Sequence, residues 1–149
     1  MKTITPKLIV VSLFATAIAA SCKKDDVGPS ANTKFLTQQP WRFEIYGLDE
    51  NNDGTIDASE NSMFPCESDD AFTFYDNGTG IYTAGTVKCT QDDPPVLSLN
   101  WNFSNNETEL QIFNSPEKIS KLDGTTLEIY YQELNSQGQT VKYIRRFKH

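Results

Sequence analysis

From Trp41 onward the chain alternates apolar and polar residues in short runs, the two-residue period of a strand with one buried face. Trp41-Arg-Phe-Glu-Ile-Tyr46 carries the pattern first, followed by Ala71-Phe-Thr-Phe-Tyr75 and Gly80-Ile-Tyr-Thr83. The run 96–103 places Leu97, Leu99, Trp101 and Phe103 on one face. Segments 109–113 and 118–122 follow. The run 125–132 aligns Leu127, Ile129 and Tyr131, and 140–148 aligns Val141, Tyr143, Arg145 and Phe147. The intervals are rich in turn formers: Asp76-Asn-Gly, Ser104-Asn-Asn, Asn114-Ser-Pro, Asp123-Gly and Asn135-Ser-Gln-Gly. No segment holds a long helical period, and only a short helical turn is expected, at Thr33–Gln38.

The pattern predicts an all-β chain of eight antiparallel strands in meander order. Such a meander must hide its edges, and an up-and-down barrel does so by closing on itself. A two-sheet sandwich is the competing arrangement. The short links favour the barrel, because they pair each strand with its neighbour in sequence. Eight strands enclose an interior that is either filled by side chains or holds one small ligand.

The Asn77-Gly78 dipeptide predicts a two-residue hairpin loop with both central residues at positive φ. That loop would pair Phe74 with Ile81 and Phe72 with Thr83. Extended to the hairpin base, the same register sets Cys66 opposite Cys89, although Pro65 and Gly85 can bend the ends. The expectation is proximity of the two cysteines and a structural disulfide. A redox or metal-binding pair is a poorer reading, since the spacing is not C-x-x-C and the one histidine is His149.

The N-terminal segment changes the picture from a free domain to an exported one. Lys2 and Lys7 precede Leu8–Ala20, a run of 13 residues without charge. A membrane-spanning helix needs about 20 apolar residues, so this run reads as the core of a secretory signal over residues 1–21. Ala19-Ala-Ser21 then leads into Cys22, a stretch that resembles the bacterial lipobox with Ala in place of its usual first Leu. That resemblance makes Cys22 the lipid-bearing first residue of the mature protein and its link to the membrane. The alternative is ordinary cleavage near Ala20, which would leave an exported free thiol. Lys23-Lys-Asp-Asp26 resembles the surface-export signal of Bacteroidota lipoproteins, which implies the outer face of the outer membrane; the same residues also read as a solvated charged tether. Residues 22–33 form the tether and 34–149 the folded domain.

The whole chain carries a net charge of −7. Of its 13 basic residues, loss of Lys2 and Lys7 with the leader leaves 11 against 20 acidic ones, a net of −9. An acidic domain lacks the basic face that nucleic acid requires, so no nucleic-acid partner is expected. The sequence carries no signal for an oligomeric state.

One acidic segment is specific. Asp49-Glu-Asn-Asn-Asp-Gly-Thr-Ile-Asp-Ala-Ser-Glu60 fits the Ca²⁺-loop pattern D-x-[DN]-x-[DN]-G-x₅-E. Asp49, Asn51 and Asp53 would offer side-chain oxygens, Thr55 its carbonyl, Asp57 a direct or water-borne contact, and Glu60 a bidentate carboxylate. The usual flanking helices are missing, for a strand enters the loop and Pro65 soon follows it. A solvated Asp/Asn-rich turn is the other reading of the same residues. The pairs Asp69-Asp70 and Asp92-Asp93 read as solvated turn charge.

Taken together, the Trp41 strand, the acidic loop, Cys66-Glu-Ser-Asp-Asp, Phe72-Thr-Phe, Asp76-Asn-Gly-Thr, Gly85-Thr-Val-Lys-Cys89, the Trp101 strand and the Leu122…Leu127 hairpin resemble the lipocalin-like lipoproteins of Bacteroidota over about residues 34–148. The resemblance implies an eight-stranded lipocalin-like barrel. Lipocalins carry Gly two residues before the first-strand Trp, where this chain has Gln39, and the resemblance implies that Arg145 or Arg146 packs on Trp41. One reading of such a barrel is a binding module that holds a small apolar ligand, lined by Trp41, Phe43, Phe72, Phe74, Trp101 and Tyr131. The same residues equally suit a filled core, in which case the protein would be an interaction or structural component of the cell surface. No nucleophile motif and no free His or Cys pair marks an enzyme, so none is expected.

Overall fold

The computed structural model describes residues 28–149; the leader, Cys22 and Lys23–Asp26 lie outside the described residues. Helix α1 (Ala31–Thr37) is capped by Ser30, whose hydroxyl accepts the Thr33 N–H at 3.0 Å. Eight strands follow: β1 (Trp41–Asp49), β2 (Ala71–Phe74), β3 (Thr79–Thr83), β4 (Val96–Ser104), β5 (Glu109–Ile112), β6 (Ser115–Leu122), β7 (Thr126–Leu134) and β8 (Thr140–Lys148). Each pairs antiparallel with its neighbour in sequence, and β1 pairs with β8, so the sheet closes into an all-β up-and-down barrel. The sandwich alternative is excluded by that β1–β8 ladder.

The barrel has a filled end and an open end. Leu36, Trp41, Phe74, Leu99, Trp101, Leu110, Leu127 and Phe147 pack the filled end. Helix α1 covers it. The Trp41 indole N–H donates to the Leu36 carbonyl at 2.9 Å, and Gln38 Nε2 donates to the Gly124 carbonyl at 3.0 Å. The Trp101 indole N–H reaches the carbonyls of Tyr75 and Thr79, fastening the β2–β3 turn to β4. The 49–70 and 84–95 segments and the β5–β6 turn crown the open end.

Three local expectations are corrected. The β2–β3 register is Phe74 with Gly80 and Phe72 with Tyr82, one residue from the predicted pairing. The loop holds three residues, because Tyr75 N–H donates to the Thr79 carbonyl at 2.8 Å, and within Asp76–Gly78 only Gly78 has positive φ. This is the wider hairpin loop in which one left-handed residue suffices. The disulfide between Cys66 and Cys89 nonetheless forms, with the Cα atoms 5.2 Å apart. It joins a one-turn 3₁₀ helix (Pro65–Glu67) to the β3–β4 loop, so proximity rather than ladder register brings the sulfurs together.

Neither Arg145 nor Arg146 packs on Trp41. Arg145 points inward to Glu117 on β6, while Arg146, on the opposite face of β8, pairs with Glu128 at 2.7 Å. The ring on Trp41 is that of His149, with centroids 3.8 Å apart, held by the Pro40 carbonyl at 3.0 Å.

The Asp69-Asp70 pair is not solvated turn charge. Asp70 is buried; it accepts the Tyr82 hydroxyl and, at 2.7 Å, the Gly85 N–H. Asp69 accepts the Thr86 N–H and hydroxyl, and these bonds hold its carboxyl below the ordinary range. Burial, then the Asp70 carboxylate, pushes the Tyr82 phenol up. The pair ties the 84–86 segment to the start of β2.

Candidate functional site

At its open end the barrel holds a cavity of about 480 Å³ that is open to solvent on one side. That lies within the range of small-molecule sites, about 300–1,000 Å³. A bulge in β1 shapes it. Phe43 pairs with Phe147, but Ile45 pairs with Arg146 and Tyr46 with Arg145. The extra residue reverses the alternation, so Ile45 faces outward and Tyr46 inward. Without the bulge an isoleucine would stand where Tyr46 now brings a hydroxyl.

Of the six residues expected to line a ligand site, Phe43, Phe72 and Tyr131 do so. Trp41, Phe74 and Trp101 belong to the filled end instead, 0%, 2% and 7% exposed respectively. The six aromatic residues are thus divided between the two ends, three on the cavity wall and three in the packed core. Phe43 and Phe72 meet edge-on with ring centroids 5.6 Å apart, and Tyr131 stacks on Tyr143 at 4.8 Å. Ile112 and Phe113 complete the apolar wall.

The polar wall was not foreseen. Glu67, Ser115, Glu117 and Arg145 also line the cavity. Glu117 is 4% exposed, and the Arg145 guanidinium grips it side-on: Nε donates to Oε2 at 3.1 Å, and Nη2 pairs with Oε1. Burial lowers the Arg145 pKa, with the Tyr46 hydroxyl acting the other way. Burial pushes the Tyr131 phenol up, the Tyr46 hydroxyl adding to the effect. The Ser115-Pro116-Glu117 stretch reads as a turn in sequence, which hid Glu117. The inward face of β8, by contrast, already placed Arg145 beside Phe147.

Phe113 sits at the mouth. It and Asn114 form the two-residue β5–β6 turn, at φ 53° and 64°, and Phe113 is 51% exposed. Positive φ at a bulky aromatic residue is strained.

The acidic loop lies outside the cavity, folded onto the outer face of β1. Gly47 makes this possible: a Cβ there would collide with the Glu60 carbonyl and Ile56. The Asp49 carboxylate is fully buried and accepts the N–H groups of Asp53 and Gly54, both at 3.1 Å. Asn51 Oδ1 accepts the Asp53 N–H at 2.8 Å. Asp53 accepts the Thr55 N–H and hydroxyl, which lower its pKa. Glu60 reaches back to the N–H groups of Glu50 and Asp57, both at 2.9 Å. The carboxylates thus address loop amides. Among the described residues no three His, Cys, Asp or Glu side chains converge as a metal-holding group.

No family model and no curated protein matches the chain. Among solved structures, the chain is similar to the bovine odorant binding protein, solved in complex with a selenium-containing odorant. The two share 15% identity at a TM-score of 0.39, over 81% of this chain and 74% of that one.

Proposed function

We propose that the protein is a lipocalin-like lipoprotein of the bacterial cell envelope, tethered through Cys22, whose barrel binds a small, largely apolar ligand. The observation that carries the binding function is the 480 Å³ cavity walled by Phe43, Phe72, Ile112, Phe113 and Tyr131. Burying apolar ligand surface against such a wall yields about 25 cal/mol per Å² before the costs of association. The tether and its surface location rest on the sequence of residues 1–26, and the domain they carry begins at α1, three residues ahead of the expected boundary at 34. Titrating the purified protein with N-phenyl-1-naphthylamine is expected to give saturable, one-site fluorescence enhancement. A signal no greater than in buffer would reject the binding function.

Phe113 supplies a separable test. Asn adopts left-handed backbone more readily, so Phe113→Asn is expected to stabilise the fold by about 1 kcal/mol while stripping an aromatic wall from the mouth. Chemical denaturation should register the gain, and affinity for the same dye should fall several-fold.

The acidic loop supports a second proposal, weak Ca²⁺ binding. What favours it is that Asp49, Asn51 and Asp53 already wrap the 53–55 amides; what opposes it is that Glu60 must release its own. For an extracellular-class affinity of about 10⁻⁴ M, 1 mM Ca²⁺ would stabilise the fold by about 1.4 kcal/mol. The thermal midpoint is expected to rise by a few degrees over that in chelator. Coincident melting curves would rule out the site.

A further inference from the structure

Accepting that the cavity binds a ligand, the charge and hydrogen bonds of its polar wall say which kind. Arg145 spends Nε and Nη2 on Glu117. Its Nη1 has no hydrogen-bond partner among the described residues, nor is it an enclosed atom lacking one; the single such orphan is Asp69 Oδ1. The guanidinium lines the cavity, so Nη1 is a donor open to whatever occupies that space. A guanidinium donates through all its nitrogens and accepts through none, so the group that meets it must be an acceptor.

The charge of the lining sets the second condition. Glu67, Glu117 and Arg145 are its ionisable members apart from the two tyrosines, and they amount to one net negative charge. Glu117 is buried and neutralises Arg145 at hydrogen-bond range. A ligand carboxylate brought to Nη1 would meet a guanidinium already neutralised by Glu117, in a cavity that Glu67 also lines, and would lose its hydration. An ammonium group has no acceptor to offer Nη1, and the one carboxylate left uncompensated, Glu67, already accepts the Phe64 N–H at 2.9 Å. A neutral oxygen acceptor meets neither objection.

We infer that the cavity selects neutral amphiphiles, an aromatic or aliphatic body bearing one carbonyl or hydroxyl oxygen that accepts from Arg145 Nη1, over hydrocarbons, carboxylates and amines of the same shape. The apolar body lies against Phe43, Phe72 and Phe113. Glu117 acts as the positioning residue: it holds the guanidinium plane and cancels its charge.

The test is calorimetric titration of the purified protein with four matched probes: 2-acetonaphthone, naphthalene, 2-naphthoate and 2-naphthylmethylamine. The ketone is expected to bind at least tenfold more tightly than the other three. Glu117→Gln, which removes a charge but keeps an acceptor for Arg145, is expected to raise 2-naphthoate affinity relative to the ketone. The charge-balanced double variant Arg145→Met/Glu117→Leu should bind naphthalene as well as the ketone. Equal affinities, absence of binding by all four, or a preference for the carboxylate or amine would overturn the selectivity. So would a ketone advantage that survives in the double variant. Should N-phenyl-1-naphthylamine also fail to bind the wild-type protein, the cavity's binding function falls with it; if that dye binds, only the selectivity falls.

Discussion

Trp41→Ala is expected to lower the unfolding free energy by about 3–5 kcal/mol, the usual cost of emptying a large aromatic site in a core. Trp41 is fully buried at the filled end, where α1, β1 and His149 meet. Its removal leaves a void, orphans the Leu36 carbonyl and takes away the surface on which His149 rests. Against a typical domain stability of about 5–15 kcal/mol, the loss is large. Trp41→Phe separates the parts, since it keeps most of the apolar volume and forfeits the hydrogen bond, at an expected cost of about 1–2 kcal/mol. Urea denaturation followed by far-ultraviolet circular dichroism would measure both. A Trp41→Ala loss below about 1 kcal/mol would show that the filled end does not hold the barrel closed.

Arg145→Met is expected to be comparably damaging, at about 3–5 kcal/mol, because it strands the Glu117 carboxylate in a site almost closed to water. The double variant Arg145→Met/Glu117→Leu should recover most of that loss. Replacing both members of a buried ion pair by apolar groups is often neutral, whereas removing one is not. A denaturation cycle over the wild-type, single and double variants isolates the coupling. Additive losses would mean that the pair is solvated in solution and contributes little to the fold.

The two sites differ in how much of each could be read from the chain. Trp41 begins a clean alternation, and its burial follows from a two-residue period on a closed sheet. The same logic located all eight strands, because each presents one apolar face, as in Leu97, Leu99, Trp101 and Phe103. It misplaced Ile45 and Tyr46, since the β1 bulge shifts the faces by one and leaves no compositional mark. It missed Glu117 because Asn114-Ser-Pro signals a turn, while the observed strand starts at Ser115, straight after a turn formed by Phe113 and Asn114. The pairing of Glu117 with Arg145 spans 28 positions and joins two strands through the barrel interior, a relation no local pattern encodes. The cysteines show the converse case. Their proximity was legible from the hairpin, although the register used to argue it was off by one residue.

The division into a filled and an open end also gives the barrel a direction. The described chain enters through α1, at the filled end, while Phe113 and the disulfide-held 62–70 segment stand at the other. A domain leashed to a membrane by the residues ahead of α1 would then carry its aperture on the side remote from the leash. Cargo could then enter and leave from the surrounding medium without the domain turning over.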